Sequence, residues 1–181
     1  RHICDFSIQK LMKLKKNLVF LGMMGSGKSS IGLLVSKKLK LNFIDVDQEI
    51  ERENNMKISK IFEIKGENYF REIEEKVTLK FLKKNRSSIS LGGGSFLNKN
   101  IRKEVLDHHL SFWLNWDSET LVQRIRSSSK RPIAFKATNQ ELTQLIKKRS
   151  NIYRKAMYKI DCENLSKNEV LSKILDIYET N

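Results

Sequence analysis

One proline and two cysteines in 181 residues are among the scarcest components of this chain, and each scarcity removes a class of protein. A single proline, Pro132, leaves no proline-rich linker or recognition tract. Cys4 and Cys162 stand too far apart for a clustered metal site and too few for a disulfide framework. They fit a reducing cytosol, and a cytoplasmic location is expected. No apolar run reaches the roughly 18 residues of a membrane-spanning helix, so no membrane partner is expected. The opening stretch RHICDFSIQKLMKLKK lacks the apolar centre and small-residue cleavage site of a secretory signal. Acidic side chains are also in short supply, 21 against 35 Lys and Arg, for a net charge of +14. The lysines are spread over nearly every segment, and no basic block is interleaved with aromatics, which argues against a nucleic-acid partner. The excess charge provides a field that draws in anions. His108 and His109 are adjacent, and neighbours in sequence do not share a face, so they do not read as a metal pair.

What is present is concentrated in residues 18–31, LVFLGMMGSGKSSI. A short apolar run leads into Gly22-x-x-x-x-Gly27-Lys28-Ser29 and then into a helical pattern, the strand–loop–helix setting of a phosphate-binding loop. Phosphate oxygens need several donors converging on a small volume. Gly22, Gly25 and Gly27 allow the backbone N–H groups to turn inward, and the helix that opens at Lys28 adds the positive end of its dipole. Gly25, Ser26, Gly27, Lys28, Ser29 and Ser30 are therefore candidate nucleotide-binding residues. Lys28 can reach the β- and γ-phosphates, and the Ser29 hydroxyl can hold magnesium (Mg²⁺).

Strand-like runs at 17–21, 41–46, 87–91, 110–115 and 157–162 alternate with helical patterns at 28–40, 58–84, 98–107, 118–127, 139–156 and 166–179. That alternation predicts one three-layer α/β/α domain over 16–181, with a five-stranded parallel sheet and ligands beyond the carboxyl ends of the strands. Residues 1–15 are set apart as an N-terminal extension without an assigned role.

Five further groups carry polar chemistry toward that rim. If residues 41–46 run as a strand, Asp45 and Asp47 project to one side as it ends; one carboxylate can order a metal's water shell and the other can accept a proton. Asp47 could instead cap a helix beginning at Gln48. Arg71 and Glu74 lie three apart on a helix, so the carboxylate can hold the guanidinium as a fork for a substrate carboxylate. Gly92, Gly93 and Gly94 follow a strand and suit close backbone approach to a ligand. Arg124, Arg126 and the stretch Ser127–Pro132 read as a basic, mobile lid in which Arg131 can meet a transferring phosphoryl group. Arg149, Tyr153 and Arg154 add cations and a phenol on a later helix.

Taken in order, GMMGSGKSS, DVD, GENYFREIE, LGGGS, KRP and RSNIYR resemble the shikimate kinase family from about residue 16 onward. The resemblance implies the nucleoside monophosphate kinase fold, with a substrate-binding segment at about 45–75 and a lid at about 125–138. It implies transfer of the γ-phosphoryl group of ATP, with Mg²⁺, to the 3-hydroxyl of shikimate by a monomeric enzyme. By position, Lys28 and Arg131 would act on the phosphates, Ser29 and, through water, Asp45 on the metal, and Arg124 would lie against adenine. Asp47 would bind the shikimate hydroxyls and serve as base, Arg71 and Arg154 would clamp its carboxylate, and the Gly92–Gly94 run would donate N–H groups, Gly93 first among them.

Overall fold

The computed structural model describes residues 16–127 and 137–180. Residues 1–15 and Arg131, with most of the expected lid, lie outside the described residues. Five strands form one sheet: β1 (Leu18–Leu21), β2 (Asn42–Asp45), β3 (Ser87–Ser90), β4 (Leu110–Asn115) and β5 (Tyr158–Asp161). Their spatial order is β2-β3-β1-β4-β5, and every neighbouring pair is parallel. The helices are α1 (Lys28–Leu39), α2 (Val46–Asn54), α3 (Ile58–Leu82), α4 (Lys99–His108), α5 (Ser118–Arg126), α6 (Asn139–Tyr153) and α7 (Lys167–Thr180). A short 3₁₀ turn covers Ser95–Leu97. The fold is the α/β architecture read from the sequence.

The sheet is apolar on both faces because both are covered. Leu18 and Phe20 of β1, with Phe112 and Leu114 of β4, pack against Ile31 and Val35 of α1 and Val170 and Ile174 of α7. The alternate residues Val19, Leu21 and Trp113 point to the other face, where Val77, Phe81, Ile101 and Ile146 cover them. Rings stack across neighbouring strands, Phe20 on Phe112 at 5.6 Å and Phe112 on Tyr158 at 5.3 Å between centroids. Caps mark several helix starts: Asp117 on Thr120, Asn98 on Asn100 and Ile101, and a reciprocal Thr138–Glu141 capping box for α6. Among the described residues no helix is long and apolar enough to cross a membrane.

One expectation is corrected. β2 ends at Asp45 and α2 begins at Val46 with no intervening loop, so Asp47 is a first-turn helical residue. The two carboxylates therefore do not share a strand face. Asp45, not Asp47, is the helix cap, and its side chain accepts a hydrogen bond from the Gln48 N–H.

With all strands parallel, the segments after β1, β2, β3 and β4 emerge at one rim. The sheet order places the phosphate loop after β1 between the glycine run after β3 and the Asn115–Trp116 segment after β4. This topology divides the rim into two sides around a central loop.

Candidate active site

The central loop has the backbone conformation its glycines allow. Gly25 and Gly27 adopt φ of 83° and 88°, left-handed values that L side chains rarely take. Gly27 is the N-cap of α1 and offers no side chain to the first turn, so the helix presents its donors to the loop. Lys28 is buried and folds back over the loop, its Nζ donating to the carbonyls of Gly22 at 3.0 Å and Met23 at 2.9 Å. The Ser26 hydroxyl is buried without a hydrogen-bond partner. Ser29 and Ser30 are exposed at the start of α1, and Ser29 Oγ lies 3.5 Å from Ser90 Oγ at the end of β3. A cradle of inward donors, a cationic side chain and an orphaned hydroxyl is what a polyphosphate requires.

On the β4 side, Trp116 Nε1 donates to the Ser26 carbonyl at 3.0 Å. The Arg124 guanidinium stacks on the Trp116 ring, 3.6 Å from its centroid. A Cβ at Gly25 would sit 3.5 Å from Arg124 Cβ, so α5 abuts the phosphate loop. An open cleft here is lined by Gly27, Ser30, Trp116, Arg124, Cys162 and Lys167, among others. Its flat aromatic–guanidinium wall and apolar floor suit a planar base. Burial pushes the Cys162 thiol up to about 12, so it lines the cleft as a small neutral group.

On the β3 side, none of the three glycines has a left-handed φ; what sets them apart is the side chains crowded against Gly92 and Gly94. A Cβ at Gly92 would lie 2.6 Å from Asp47 Oδ1, 2.8 Å from Ser95 Oγ and 2.9 Å from Glu74 Oε1. At Gly94 it would lie 2.5 Å from Arg71 Nη1. The glycine run is thus wrapped by the acidic and basic side chains that converge there from α2 and α3. Glu74 is almost fully buried and accepts from Arg71 Nη1 at 2.7 Å and from Ser95 Oγ at 2.7 Å. Arg71 also donates to Glu67 Oε1 at 3.0 Å, yet remains about one-third exposed. Burial alone would lower its pKa, but Glu74 and Glu67 hold it above its usual value. The arginine is a permanent cation, oriented by a buried carboxylate and still open to an incoming anion.

The sequence model of the shikimate kinase family matches residues 24–179. The shikimate kinase of Persephonella marina is 36% identical over 160 residues, 88% of this chain and 97% of that protein. That of Bacillus subtilis is 40% identical over 170 residues, 90% of this chain and 88% of its own. The chain belongs to the shikimate kinase family. Among solved structures, shikimate kinase from Acinetobacter baumannii in complex with shikimate superposes with a TM-score of 0.87 at 28% identity, covering 95% of this chain and 97% of that one. Shikimate kinase from Aquifex aeolicus gives 0.81 at 32% identity, covering 91% and 97%. Deoxyadenosine kinase from M. mycoides, at 18% identity and a TM-score of 0.62, shares the fold.

Within this shikimate kinase fold, the expected residues gather in two groups around the phosphate loop. Gly25, Ser26, Gly27, Lys28, Ser29, Ser30 and Arg124 form the β4-side group and the loop itself. Asp47, Arg71, Gly92, Gly93 and Gly94 form the β3-side group, with Glu74 beneath. Asp45 stands at the end of β2 as the cap of α2. Arg154 is exposed at the C-terminal cap of α6, its Nη1 3.5 Å from Asn151 Oδ1.

Three residues of the site carry no role in the sequence reading. Trp116 gives no local signal, and only tertiary structure sets its indole under Arg124. Arg149 and Tyr153 stand in the RSNIYR stretch without an assigned role, and both donate to the Gly93 carbonyl, Arg149 at 3.3 Å. Their spacing of four on α6, one helical turn, was the available signal.

Proposed function

We propose that this chain transfers the γ-phosphoryl group of ATP to the 3-hydroxyl of shikimate, with Mg²⁺ as the accompanying ion. The observation that carries the reading is the packing of Gly92–Gly94 against Asp47, Arg71 and Glu74, beside the phosphate loop. It makes a pocket with a fixed guanidinium for a carboxylate and a carboxylate for hydroxyls, next to a polyphosphate cradle. Arg71 and Arg154 bind the shikimate carboxylate, and Gly93 donates its N–H to a substrate oxygen. Asp47 receives the ring hydroxyls and turns the 3-hydroxyl oxygen toward the γ-phosphorus.

In the transfer that oxygen bonds to phosphorus while the bond to the β–γ bridging oxygen breaks, releasing ADP. The hydroxyl proton passes to Asp47 or to water. Because a loose phosphoryl-transfer transition state demands little early proton removal, alignment by Asp47 is its main contribution. Lys28 leaves the Gly22 and Met23 carbonyls for the β- and γ-oxygens, and Arg131 from the lid adds a second cation. Arg124 lies against the base. Among the described residues no group of three or more His, Cys, Asp or Glu can hold a metal ion. The Ser29 hydroxyl would hold magnesium together with phosphate oxygens, and Asp45 would order its water; the ion would neutralise charge on the β- and γ-oxygens. The reading extends to a single-copy enzyme in the cytoplasm.

Coupled ADP release with Mg-ATP tests it, comparing shikimate, gluconate and no acceptor. Turnover that depends on shikimate alone supports the assignment. A rate unchanged by shikimate, or higher with gluconate, overturns it.

A further inference from the structure

The amino end of the sheet, opposite the phosphate loop, carries charge that the kinase reading does not use. Helix α1 ends there with Lys37, Lys38 and its cap Lys40, and α3 ends there in the turn that holds Lys83, Lys84 and Arg86. All six residues are exposed. Hydrogen bonds join the two groups into one face. The Asn42 N–H, at the start of β2, donates to the Arg86 carbonyl at 3.0 Å. Asn17, buried just before β1, donates through Nδ2 to the Lys84 carbonyl at 2.6 Å and accepts from the Ser87 N–H at 3.0 Å.

This face differs from the rest of the lysine-rich surface. Its six cations have no carboxylate partner among the described residues, whereas Arg52, Lys57, Lys60, Lys80 and Lys103 each pair with an Asp or Glu. The sequence holds no Asp or Glu from 6 to 44 or from 76 to 103. The attraction of cations to the carboxyl end of a helix accounts for Lys37 and Lys38. It does not account for Lys40 and Arg86, whose φ values of 54° and 56° are left-handed. Among the described residues the other non-glycine positions with left-handed φ are Asn55 and Asn164, and asparagine tolerates that conformation. Glycine or asparagine at 40 and 86 would relax the backbone and lose only the charge. Nor does the candidate active site explain the face. Strands of four residues put it about 13 Å below the rim, beyond the screening length of about 8 Å in physiological salt.

We propose that this face docks an acidic segment of a partner protein, a run of Asp and Glu side chains. The carboxylates that neutralise lysine elsewhere on the chain are what this face lacks. A phosphate-bearing partner fits less well. Phosphates favour main-chain N–H groups at helix N-termini, as around Gly27, whereas α1 and α3 bring their C-terminal carbonyls here. Five of the six cations are lysines, which act as point charges, and only Arg86 has the planar fork that matches phosphate. Residues 37–42 and 83–86 contain no aromatic side chain on which a base could stack. The proposal stands independently of the shikimate kinase reading.

Fluorescence anisotropy of a labelled oligoglutamate peptide tests it, with the whole chain titrated in at about 0.05 M and about 0.3 M salt. The unaltered chain should bind at the lower salt and more weakly at the higher. The triple variant Lys40→Gln, Lys84→Gln, Arg86→Gln should weaken binding by about 10-fold, the combined effect of three exposed ion pairs. The control triple Lys60→Gln, Lys147→Gln, Lys173→Gln removes the same charge from exposed positions on α3, α6 and α7. It should weaken binding by less than about threefold. Both triples should keep kcat and both KM values within about twofold of the unaltered chain. Equal weakening by the two triples would overturn the proposal, since net charge alone would then suffice. So would absence of peptide binding at the lower salt, or tighter binding of an RNA duplex or of phosphatidylserine vesicles under the same conditions. If the first triple loses activity, Lys38→Gln with Lys84→Gln, which leaves both left-handed residues in place, decides by the same comparison: a loss of about 3- to 5-fold supports the proposal and an unchanged affinity overturns it.

Discussion

A methyl group added at Gly94 is expected to damage substrate binding without harming the fold. Gly94 has φ −106° and ψ −16°, a conformation alanine adopts freely, and Gly→Ala at a compatible site stabilises by about 0.4–1 kcal/mol through the unfolded chain. The new Cβ would stand 2.5 Å from Arg71 Nη1 and 3.2 Å from Cζ and Nη2. Ordinary contact begins near 3.4 Å, so the guanidinium must retreat by roughly 1 Å. The tip of a partly exposed arginine can do so cheaply. It cannot do so while keeping both its 2.7 Å bond to Glu74 and its place at the pocket. A charged hydrogen bond is worth about 1.5–3 kcal/mol, which corresponds to about a 10- to 150-fold rise in KM for shikimate if the substrate carboxylate loses its partner. The assay is steady-state ADP release with shikimate varied at saturating Mg-ATP, paired with a thermal melt. The expected result is a raised KM for shikimate, an unaltered KM for ATP and a melting temperature equal to or above that of the unaltered chain. A Gly94→Ala protein with normal KM for shikimate would refute the placement of Arg71, and a large drop in melting temperature would refute the claim that only a side-chain tip has to move. Gly92→Ala is the contrast: its Cβ meets Asp47, Ser95 and the buried Glu74 together, so stability and activity should fall in parallel.

Lys28→Met should reduce kcat by about 10²-fold or more while leaving circular dichroism unchanged, because the lost charge acts on the phosphoryl group. Normal turnover would exclude Lys28 from the phosphates. Trp116→Leu removes the 3.0 Å bond to the Ser26 carbonyl and the platform under Arg124. KM for ATP should rise by about 3- to 10-fold with KM for shikimate unmoved, and the reverse pattern would place the base elsewhere. His109 is buried, and burial depresses its pKa from 6.5 to about 4 in the folded chain. Between those values only the unfolded chain binds the proton, so stability falls as pH drops from about 6.5 toward 4, by up to about 3 kcal/mol. Urea melts of the unaltered chain and His109→Gln at pH 7 and 4.5 should show a smaller pH effect in the variant; equal effects would refute the assignment to His109.

Much of this was readable in the sequence where the information is local. The phosphate loop is legible because its glycine spacing encodes a backbone shape, and Gly25 and Gly27 take the left-handed φ that only glycine takes easily. The strands are legible because a sheet covered on both faces leaves continuous apolar runs such as LVFL and LSFWL. Asp45-Val46-Asp47 departs from the expected alternation because period two holds only while the strand lasts, and α2 starts at Val46. The Arg71–Glu74 pair follows from helical spacing, but its partner Ser95 comes from 21 residues beyond Glu74. The glycine run is legible as a place of close approach, but the side chains of Asp47, Arg71 and Glu74 that crowd it come from distant segments. The contacts of Trp116, Arg149 and Tyr153 are not legible for the same reason, since each meets a carbonyl contributed by a distant loop.

The most direct test of the central claim is the identity of the product. After incubation with Mg-ATP and shikimate, proton–phosphorus correlation NMR should show a new phosphate ester coupled to the proton on carbon 3 of the ring, formed mole for mole with ADP. An ester on another carbon, or ADP formed with shikimate left intact, would contradict the account.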